Sequence, residues 1–388
     1  MTLTIESPRD PRIRGHMPAL DGVRGLAILM VMALHFIADT TPTNRFEEVV
    51  SRVTGYGEYG VDLFFVLSGF LITGILSDAR ASAHFFENFY IRRALRIFPL
   101  YYGVLALVFF AGGFLPFISP DELATLRAHQ AWAWLYGVNI YIAKQGAFAL
   151  PYLDHFWSLA VEEHFYFVWP LVVWLASPRA LLRISVAVFF GAFALRVACS
   201  VLNVNPIAIY VLTPFRLDAL ALGGFLSTYS RTPGGLATIV RILRPTAISA
   251  SILLVALYAC GRFTPVGVEV LRPIRSELIT LLLAALLLAA LTTPATSALG
   301  VVFRGRFMRF FGKYSYGLYV FHHFFSYWFV HHQTELVVAR WVGSHTLAVV
   351  LQAAFGSVAS VAVAFASFHL FEKRALRLKR LWSFGPPH

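Results

Sequence analysis

The chain consists mainly of apolar runs that are about as long as a bilayer is thick. A helix needs about 20 apolar residues to cross the ~30 Å hydrocarbon core, and such a segment must satisfy its backbone hydrogen bonds internally. We therefore predict an all-α polytopic membrane protein with about ten transmembrane helices, near residues 17–38, 59–77, 98–118, 156–176, 184–202, 207–228, 246–260, 276–293, 314–331 and 345–370.

Composition supports the same class of protein. Of the 388 residues, 58% are hydrophobic and 13% are charged, whereas soluble domains carry about 25% charged residues. The formal net charge of +12 is high enough to raise the question of nucleic-acid binding. In a membrane protein, however, an excess of basic residues more often reports orientation, so no nucleic-acid partner is expected.

The basic residues concentrate on one side of the predicted spans. If the N-terminus is cytoplasmic, the cytoplasmic segments hold most of the 32 Lys and Arg residues, and the positive-inside rule then places both termini in the cytoplasm. We predict a cytoplasmic tail over 1–16, a transmembrane domain over 17–371 and a basic cytoplasmic tail over 372–388. The short aromatic run Ala131–Ala143 is predicted to be interfacial or re-entrant.

The first span carries two ionisable residues, Arg24 and His35. A charge in the bilayer costs roughly 2.5–3.5 kcal/mol on insertion scales, so each side chain needs a partner or a function. Their spacing puts them near one helical face and ~16 Å apart along the axis. Both can then line one groove, although a structural role remains open, with Arg24 reaching the interface.

The second span begins with two carboxylates, Glu58 and Asp62, on one helical face. If the chain topology is as predicted, they lie close to the depth of His35. Asp62 is therefore a candidate for orienting that imidazole, with an interfacial cap as the alternative. Further along the span, Ser68-Gly69 and Gly74 are typical of close helix packing.

The segment before the third span is basic and carries Arg92, Arg93 and Arg96. The i, i+4 spacing puts Arg92 and Arg96 on one face, and guanidinium groups suit bidentate phosphate binding. The three arginines are thus candidates for binding a nucleotide-like cofactor from the cytoplasmic side. An ordinary basic loop is the alternative.

The fourth span begins with polar residues that are costly at membrane depth. Its two carboxylates are Glu162 and Glu163, which diverge by ~100°, so at most one is expected to face the groove. A carboxylate that orients an imidazole is the usual arrangement for a histidine base. Trp157 and Ser158 lie on the same span and are candidate substrate contacts.

Two later spans also carry polar residues. Arg216 and Asp218 in the sixth span form either a buried ion pair or substrate contacts. His322 and His323 lie in the ninth span, where adjacent side chains are expected to point apart. We therefore expect no metal site, and we expect His322 to contribute packing or a polar contact with the acceptor.

Several ordered motifs together resemble the acyltransferase-3 family of membrane O-acyltransferases over roughly residues 17–371. They are Arg-x10-His in the first span, GYGVDLFFVLSGFLI, IRRALRIFPLYY, FWSLAVEEHFYFVWP and SYGLYVFHH. The resemblance implies a ten-span enzyme of the bacterial cytoplasmic membrane that moves an acyl group, usually acetyl, from cytoplasmic acyl-CoA. The acceptor is typically a hydroxyl of a carbohydrate or lipid-linked glycan. Larger members carry an appended SGNH-type domain, which we do not expect here.

The resemblance also assigns roles to residues of this chain. Arg24 and His35 correspond to the family's Arg–His pair, and Arg92, Arg93 and Arg96 to its CoA-side basic motif. We expect His35, oriented by Glu162 or Asp62, to act as general base on the acceptor hydroxyl. An acyl-histidine intermediate stays open.

Two other classes of function remain as alternatives. In a transporter or flippase, the intramembrane Arg, His, Glu and Asp side chains would form a proton or substrate pathway. In a non-catalytic membrane scaffold for a polysaccharide synthase, Arg24 and His35 would be replaceable. Acyl-CoA turnover distinguishes both from an acyltransferase.

Overall fold

The predicted all-α class is confirmed in the computed structural model, which describes residues 13, 15–261 and 268–382. Within these ranges every regular element is helical. Most of the predicted N-terminal tail 1–16, including Arg9, Arg12 and Arg14, lies outside the described residues. So do residues 383–388 of the predicted C-terminal tail.

The described residues form eighteen α-helices, some of them joined by short 3₁₀ or π turns. In chain order they are α1 Pro18–Ala33, α2 Arg45–Gly55, α3 Tyr59–Ala79, α4 Phe85–Ala111, α5 Pro120–Ala128, α6 Gln130–Trp134, α7 Val138–Gln145, α8 Phe156–Leu175, α9 Pro178–Val201, α10 Pro206–Val211, α11 Leu217–Ser230, α12 Gly235–Gly261, α13 Val268–Thr292, α14 Ala298–Arg304, α15 Arg306–His332, α16 Thr334–Val342, α17 His345–Ser367 and α18 Lys373–Leu378.

The chain is a multi-pass membrane protein. Seven helical segments of the described residues are long and apolar enough to cross a bilayer: Pro18–Ala38, Arg45–Ala79, Phe85–Phe114, Pro178–Val201, Gly235–Ala259, Leu271–Thr292 and His345–Leu381. Two further predicted spans, 156–176 and 314–331, form the long helices α8 and α15. Their many polar and aromatic side chains lower the mean hydropathy of these two helices.

The sixth predicted span, 207–228, is not one helix. It breaks into α10 and α11, with a 3₁₀ turn at Thr213–Phe215 between them. Pro214 lies in this turn and has no backbone N–H to donate, so an α-helix does not run through it easily. The break places Arg216 and Asp218 at the start of α11, where both side chains are buried.

The third predicted span begins earlier than expected. Helix α4 starts at Phe85 and runs through Pro99, so Arg92, Arg93 and Arg96 lie on a helix and not on a connecting loop. The aromatic run Ala131–Ala143 forms the short helices α6 and α7, and neither is long enough to cross a bilayer.

Contacts divide the chain into two compact units. The first contains Met1–Gly25, Asp62–Arg80 and His164–Gly312, and the second contains Leu26–Val61, Ala81–Glu163 and Lys313–His388. In the first unit, α3 and α11 approach each other very closely. A Cβ atom added at Gly69 would lie 1.9 Å from the Leu220 carbonyl oxygen. This confirms that Gly69 serves close helix packing.

In the second unit, the end of the first span is tied to α15 and α17. The helix α1 continues as a π turn over Leu34–Ala38, which carries His35 and the buried Phe36. Phe36 packs on Phe329, and a Cβ atom added at Gly356 would meet both rings at less than 3.0 Å. Phe36 thereby fixes the turn that positions His35.

Candidate active site

Three imidazole rings of the second unit meet at the end of the first span. His35 comes from the π turn that follows α1, and His322 and His323 come from α15. The His35 ring centroid lies 5.3 Å from that of His322 and 4.9 Å from that of His323. Potential ligand nitrogens of the three rings all lie within 4.8 Å of one another.

In two of the three rings, Nδ1 is occupied by a hydrogen bond. His35 Nδ1 lies 2.8 Å from Asp39 Oδ2. His322 Nδ1 lies 3.0 Å from the Leu318 carbonyl oxygen and 2.8 Å from that of Tyr319. Because carbonyl oxygens only accept, His322 Nδ1 carries a proton, and the lone pair of the neutral ring is on Nε2. His322 is fully buried.

The expectation that His322 and His323 point apart is wrong. Adjacent residues of a helix differ in direction by ~100°, but two long side chains can still contact one ring that lies between those directions. Here His322 and His323 both contact the His35 ring in this way. The carboxylate on His35 is also different from the ones predicted. Asp39 forms this hydrogen bond, whereas Glu162 or Asp62 was expected to orient the imidazole.

A second hydrogen-bonded group lies beside the cluster. His155 has its ring centroid 4.7 Å from that of His323, and its Nε2 lies 3.2 Å from the Val320 carbonyl oxygen. Ser158 Oγ lies 2.5 Å from the Tyr319 hydroxyl, which donates to the His155 carbonyl oxygen at 2.9 Å. Ser158 is therefore buried in a structural network that holds α8 against α15.

The carboxylates of α8 face the basic part of α4. Glu162 Oε2 lies 3.9 Å from an Arg93 guanidinium nitrogen, and both side chains are mostly buried. Glu163 interacts electrostatically with Arg93 and Glu162. Its Oε1 is buried and has no hydrogen-bond partner among the described residues. Trp157, five residues before Glu162 in the same helix, is also buried.

The other two arginines of α4 turn to the C-terminal segment. Arg92 Nη1 donates to the carbonyl oxygens of Lys379 and Trp382, at 3.2 and 2.9 Å. Arg96 interacts electrostatically with Lys379 and Glu372. Because Arg92 and Arg96 lie one turn apart in one α-helix, their shared face is confirmed. Lys379 interacts electrostatically with both of them and with Arg93, so the C-terminal segment adds a fourth basic residue to this cluster.

Three predicted site residues lie in the first unit and form buried ion pairs. Arg216 Nη2 lies 2.7 Å from Asp62 Oδ1, and its guanidinium also stacks near the Tyr210 ring, 5.1 Å from the centroid. Asp218 pairs with Arg196, which donates to a backbone carbonyl oxygen at 2.7 Å. All four charged side chains are almost fully buried. Arg216 and Asp62 therefore pair with each other, and Asp218 pairs with Arg196, all within the first unit.

Arg24 also has a partner within the first unit. Its Nη1 lies 3.3 Å from Asp21 Oδ1, one helical turn earlier, and Asp21 also lies 2.6 Å from His16 Nε2. The Arg24 side chain is 26% exposed.

One carboxyl group just before α8 has a perturbed acidity. Asp154 is buried, and this burial raises its pKa to about 7. Hydrogen bonds from the backbone favour the charged form and act in the opposite direction, but burial has the larger effect. One of these bonds runs from the Leu150 N–H to Asp154 Oδ1 at 2.9 Å. Asp154 anchors the turn that leads into His155 and α8.

The arrangement of the second unit suits proton transfer from a hydroxyl group. When Nδ1–H of His35 donates to Asp39, Nε2 carries the lone pair that accepts a proton, and the carboxylate stabilises the resulting imidazolium. Sequence reasoning missed Asp39, Tyr319 and Lys379. The i, i+4 spacing of His35 and Asp39 was an available signal for the first.

Comparison with known families identifies the class. Residues 17–369, which are nearly the whole chain, match the family model of the acyltransferase domain of acyltransferase-3 type. No solved structure matches the chain significantly.

Several curated proteins are similar in sequence. The peptidoglycan O-acetyltransferase OatA of Listeria monocytogenes is 28% identical over 330 residues, which cover 80% of this chain and 49% of that protein. The putative peptidoglycan O-acetyltransferase YrhL of Bacillus subtilis is 28% identical, covering 79% and 48%. The O-acetyltransferase OatA of Staphylococcus aureus is 29% identical, covering 58% and 36%. The chain spans about half the length, or less, of these relatives.

Proposed function

Because this chain belongs to the acyltransferase-3 family, we propose that it is a membrane O-acyltransferase with a carbohydrate or lipid-linked glycan as acceptor. The names of its relatives, which are peptidoglycan O-acetyltransferases, support a sugar hydroxyl as the acceptor and acetyl as the acyl group. We propose cytoplasmic acyl-CoA, in particular acetyl-CoA, as the donor.

The proposed topology follows from the charge distribution. Ten spans with both termini in the cytoplasm put most basic residues on the cytoplasmic side of a bacterial inner membrane. We take α8, α15 and the broken α10–α11 segment as spans in addition to the seven apolar ones. The membrane domain would then extend over 17–371, between a short tail, 1–16, and a basic tail, 372–388.

One observation carries the catalytic proposal, namely the hydrogen bond between His35 and Asp39 in a cluster of imidazoles. In the proposed reaction, His35 Nε2 takes the proton of the acceptor hydroxyl as the oxygen attacks the thioester carbonyl. The carbon–sulfur bond then breaks, and the CoA thiolate leaves and receives the proton from the imidazolium. Asp39 stabilises that imidazolium, and His322 contacts the reacting groups.

The donor site is proposed for the basic residues. In the second unit, Arg93 and Arg96 would bind CoA phosphates, and Arg92 would hold the C-terminal segment in place through the Lys379 and Trp382 carbonyl oxygens. Arg24, in the first unit, is proposed to bind CoA only because it corresponds to the arginine of the family's Arg–His pair. Glu162 sets the orientation of Arg93 through their ion pair.

The acceptor site is proposed for α8. Trp157, Ser158 and Glu163 would shape it, although Ser158 already bonds to Tyr319. The role of Asp62, Arg216 and Asp218 is then to keep the first unit folded through buried ion pairs.

Turnover in a purified system tests this function. The protein in nanodiscs is incubated with acetyl-CoA and a crude envelope-glycan extract, and both CoA release and alkali-labile acetyl groups on the glycan are measured. An O-acyltransferase gives both signals, and each depends on the other substrate. A transporter gives neither signal, and a thioesterase releases CoA without glycan acetylation.

A further inference from the structure

The imidazole cluster has features that proton transfer alone does not require. One base needs one ring, yet three histidines place potential ligand nitrogens within 4.8 Å of one another. Two of them are adjacent in α15 and still converge on His35. His322 is fully buried, and its Nε2 has no hydrogen-bond partner among the described residues.

Each ring is also held through its other nitrogen. His35 Nδ1 is bonded to the Asp39 carboxylate, and His322 Nδ1 to two backbone carbonyl oxygens. His323 Nδ1 lies 3.2 Å from Ser326 Oγ, and this hydroxyl also donates to the His323 carbonyl oxygen. In metal sites, ligating imidazoles almost always donate their second N–H to a carboxylate, a carbonyl or a similar acceptor, which fixes the ring and its tautomer.

We propose that the Nε2 atoms of His35, His322 and His323 form a binding site for a divalent transition-metal cation, with Zn²⁺ as the best match. Neutral imidazole nitrogens suit Zn²⁺, whereas Mg²⁺ and Ca²⁺ prefer oxygen ligands. Zn–N bonds of about 2.0–2.1 Å in a tetrahedral site require nitrogens roughly 3.3–3.4 Å apart, so the rings close in on the cation by about 1 Å. Three protein ligands leave a fourth position for water.

We place the entry route of the cation on the partly exposed side of the cluster. The His35 side chain is 22% exposed, while His322 is closed off, so a cation enters past His35. Binding then occupies the nitrogen lone pair that the proposed function assigns to the general base. We therefore expect Zn²⁺ to inhibit acyl transfer, an expectation that rests on the proposed function of His35 as the base.

A binding experiment on the whole protein tests the site. The histidine pair at the end of α15, His331 and His332, is exposed and could itself bind metal, so the reference protein carries His331→Ala and His332→Ala and no affinity tag of histidines. After treatment with a chelator, the detergent-solubilised protein is titrated with Zn²⁺ against a chromophoric chelator. X-ray absorption then gives the ligand type and the bond lengths.

We expect one Zn²⁺ per chain, three nitrogen ligands at about 2.0–2.1 Å, and binding at least tenfold weaker in His322→Ala. His323→Asn serves as a second variant in case the buried substitution disturbs folding, which size-exclusion profiles and thermal unfolding without metal would reveal. Absence of stoichiometric binding, or unchanged affinity in both variants, would overturn the site.

Activity measured on the same samples separates this inference from the proposed function. Inhibition by Zn²⁺ that a chelator reverses, and that His323→Asn relieves, supports both. Binding without inhibition of an active enzyme supports the site and contradicts the use of His35 Nε2 as the base. Binding by a protein that never releases CoA supports the site while the proposed function fails.

Discussion

His35 Nδ1 lies 2.8 Å from Asp39 Oδ2, four residues further along the chain. The π turn over Leu34–Ala38 sets this geometry, and π turns are frequent at functional sites. The relationship gives the histidine a defined tautomer before any substrate binds.

Replacement of Asp39 by Asn tests the role of this contact. The amide can donate to Nδ1, which would move the lone pair to the wrong nitrogen, and it supplies no charge to stabilise imidazolium. We expect kcat to fall about 10²-fold with little change in KM for acyl-CoA. Steady-state CoA release measures both. Asp121→Asn, at an exposed position in α5, is the control, and an equal loss of kcat in the control would argue against a specific role of Asp39.

The Arg93–Glu162 pair is expected to act as a unit. In a double-mutant cycle with Arg93→Gln and Glu162→Gln, we expect the loss in kcat/KM for acyl-CoA to be less than additive by about 1 kcal/mol, because either single change already breaks the pair. The Arg52–Glu48 pair has the same 3.9 Å separation but is exposed, and it serves as the control cycle. Strict additivity at Arg93 and Glu162 would show that the two act independently.

Close packing of α3 on α11 predicts a large difference between two glycine substitutions. In Gly69→Ala, the new Cβ atom would lie 1.9 Å from the Leu220 carbonyl oxygen, so the helices must separate, and we expect a loss of about 1–3 kcal/mol or more in stability. Gly191→Ala places its Cβ atom where nothing lies within 4 Å and should be neutral or stabilising. Thermal unfolding in detergent compares the two. Equal stability of both variants would contradict the close approach.

Burial of Asp154 predicts a pH dependence of stability. Its pKa is raised to about 7 from an ordinary 3.8, so between these values the folded protein holds a proton that the unfolded chain has lost. Stability therefore falls as the pH rises through this window and levels off above it. Asp154→Asn keeps the acceptor for the Leu150 N–H but cannot ionise. We expect the variant to match wild type near pH 4 and to exceed it at pH 8 by at most about 4 kcal/mol.

Thermal unfolding of both proteins between pH 4 and pH 8 measures this difference. Asp121→Asn removes an exposed carboxylate and is the control for the effect of charge alone. A gain in stability of Asp154→Asn that is independent of pH would contradict the assigned titration.

Sequence reasoning was most successful where one helix decides the outcome. Apolar length predicted the helical class, and i, i+4 spacing predicted the shared face of Arg92 and Arg96. It failed where the partner depends on tertiary structure. Glu162 and Asp62 were predicted to orient His35, but in the folded protein they form ion pairs with Arg93 and Arg216.

The break in the sixth span and the convergence of His322 and His323 on His35 were missed for a similar reason. Hydropathy reports the length of an apolar run, and it does not show that Pro214 and two buried charges interrupt the helix. Angular spacing on an ideal helix describes directions at Cβ, whereas histidine side chains are long enough to meet a ring located between those directions.

The central claim is that His35 is the base in acyl transfer from CoA. The most direct measurement is CoA release from acetyl-CoA, with an envelope-glycan extract as acceptor, by wild type, His35→Ala and the exposed control His331→Ala. We expect release by wild type and the control, and a decrease of 10²–10⁴-fold in a folded, membrane-inserted His35→Ala protein. Near-normal turnover by His35→Ala would contradict the claim.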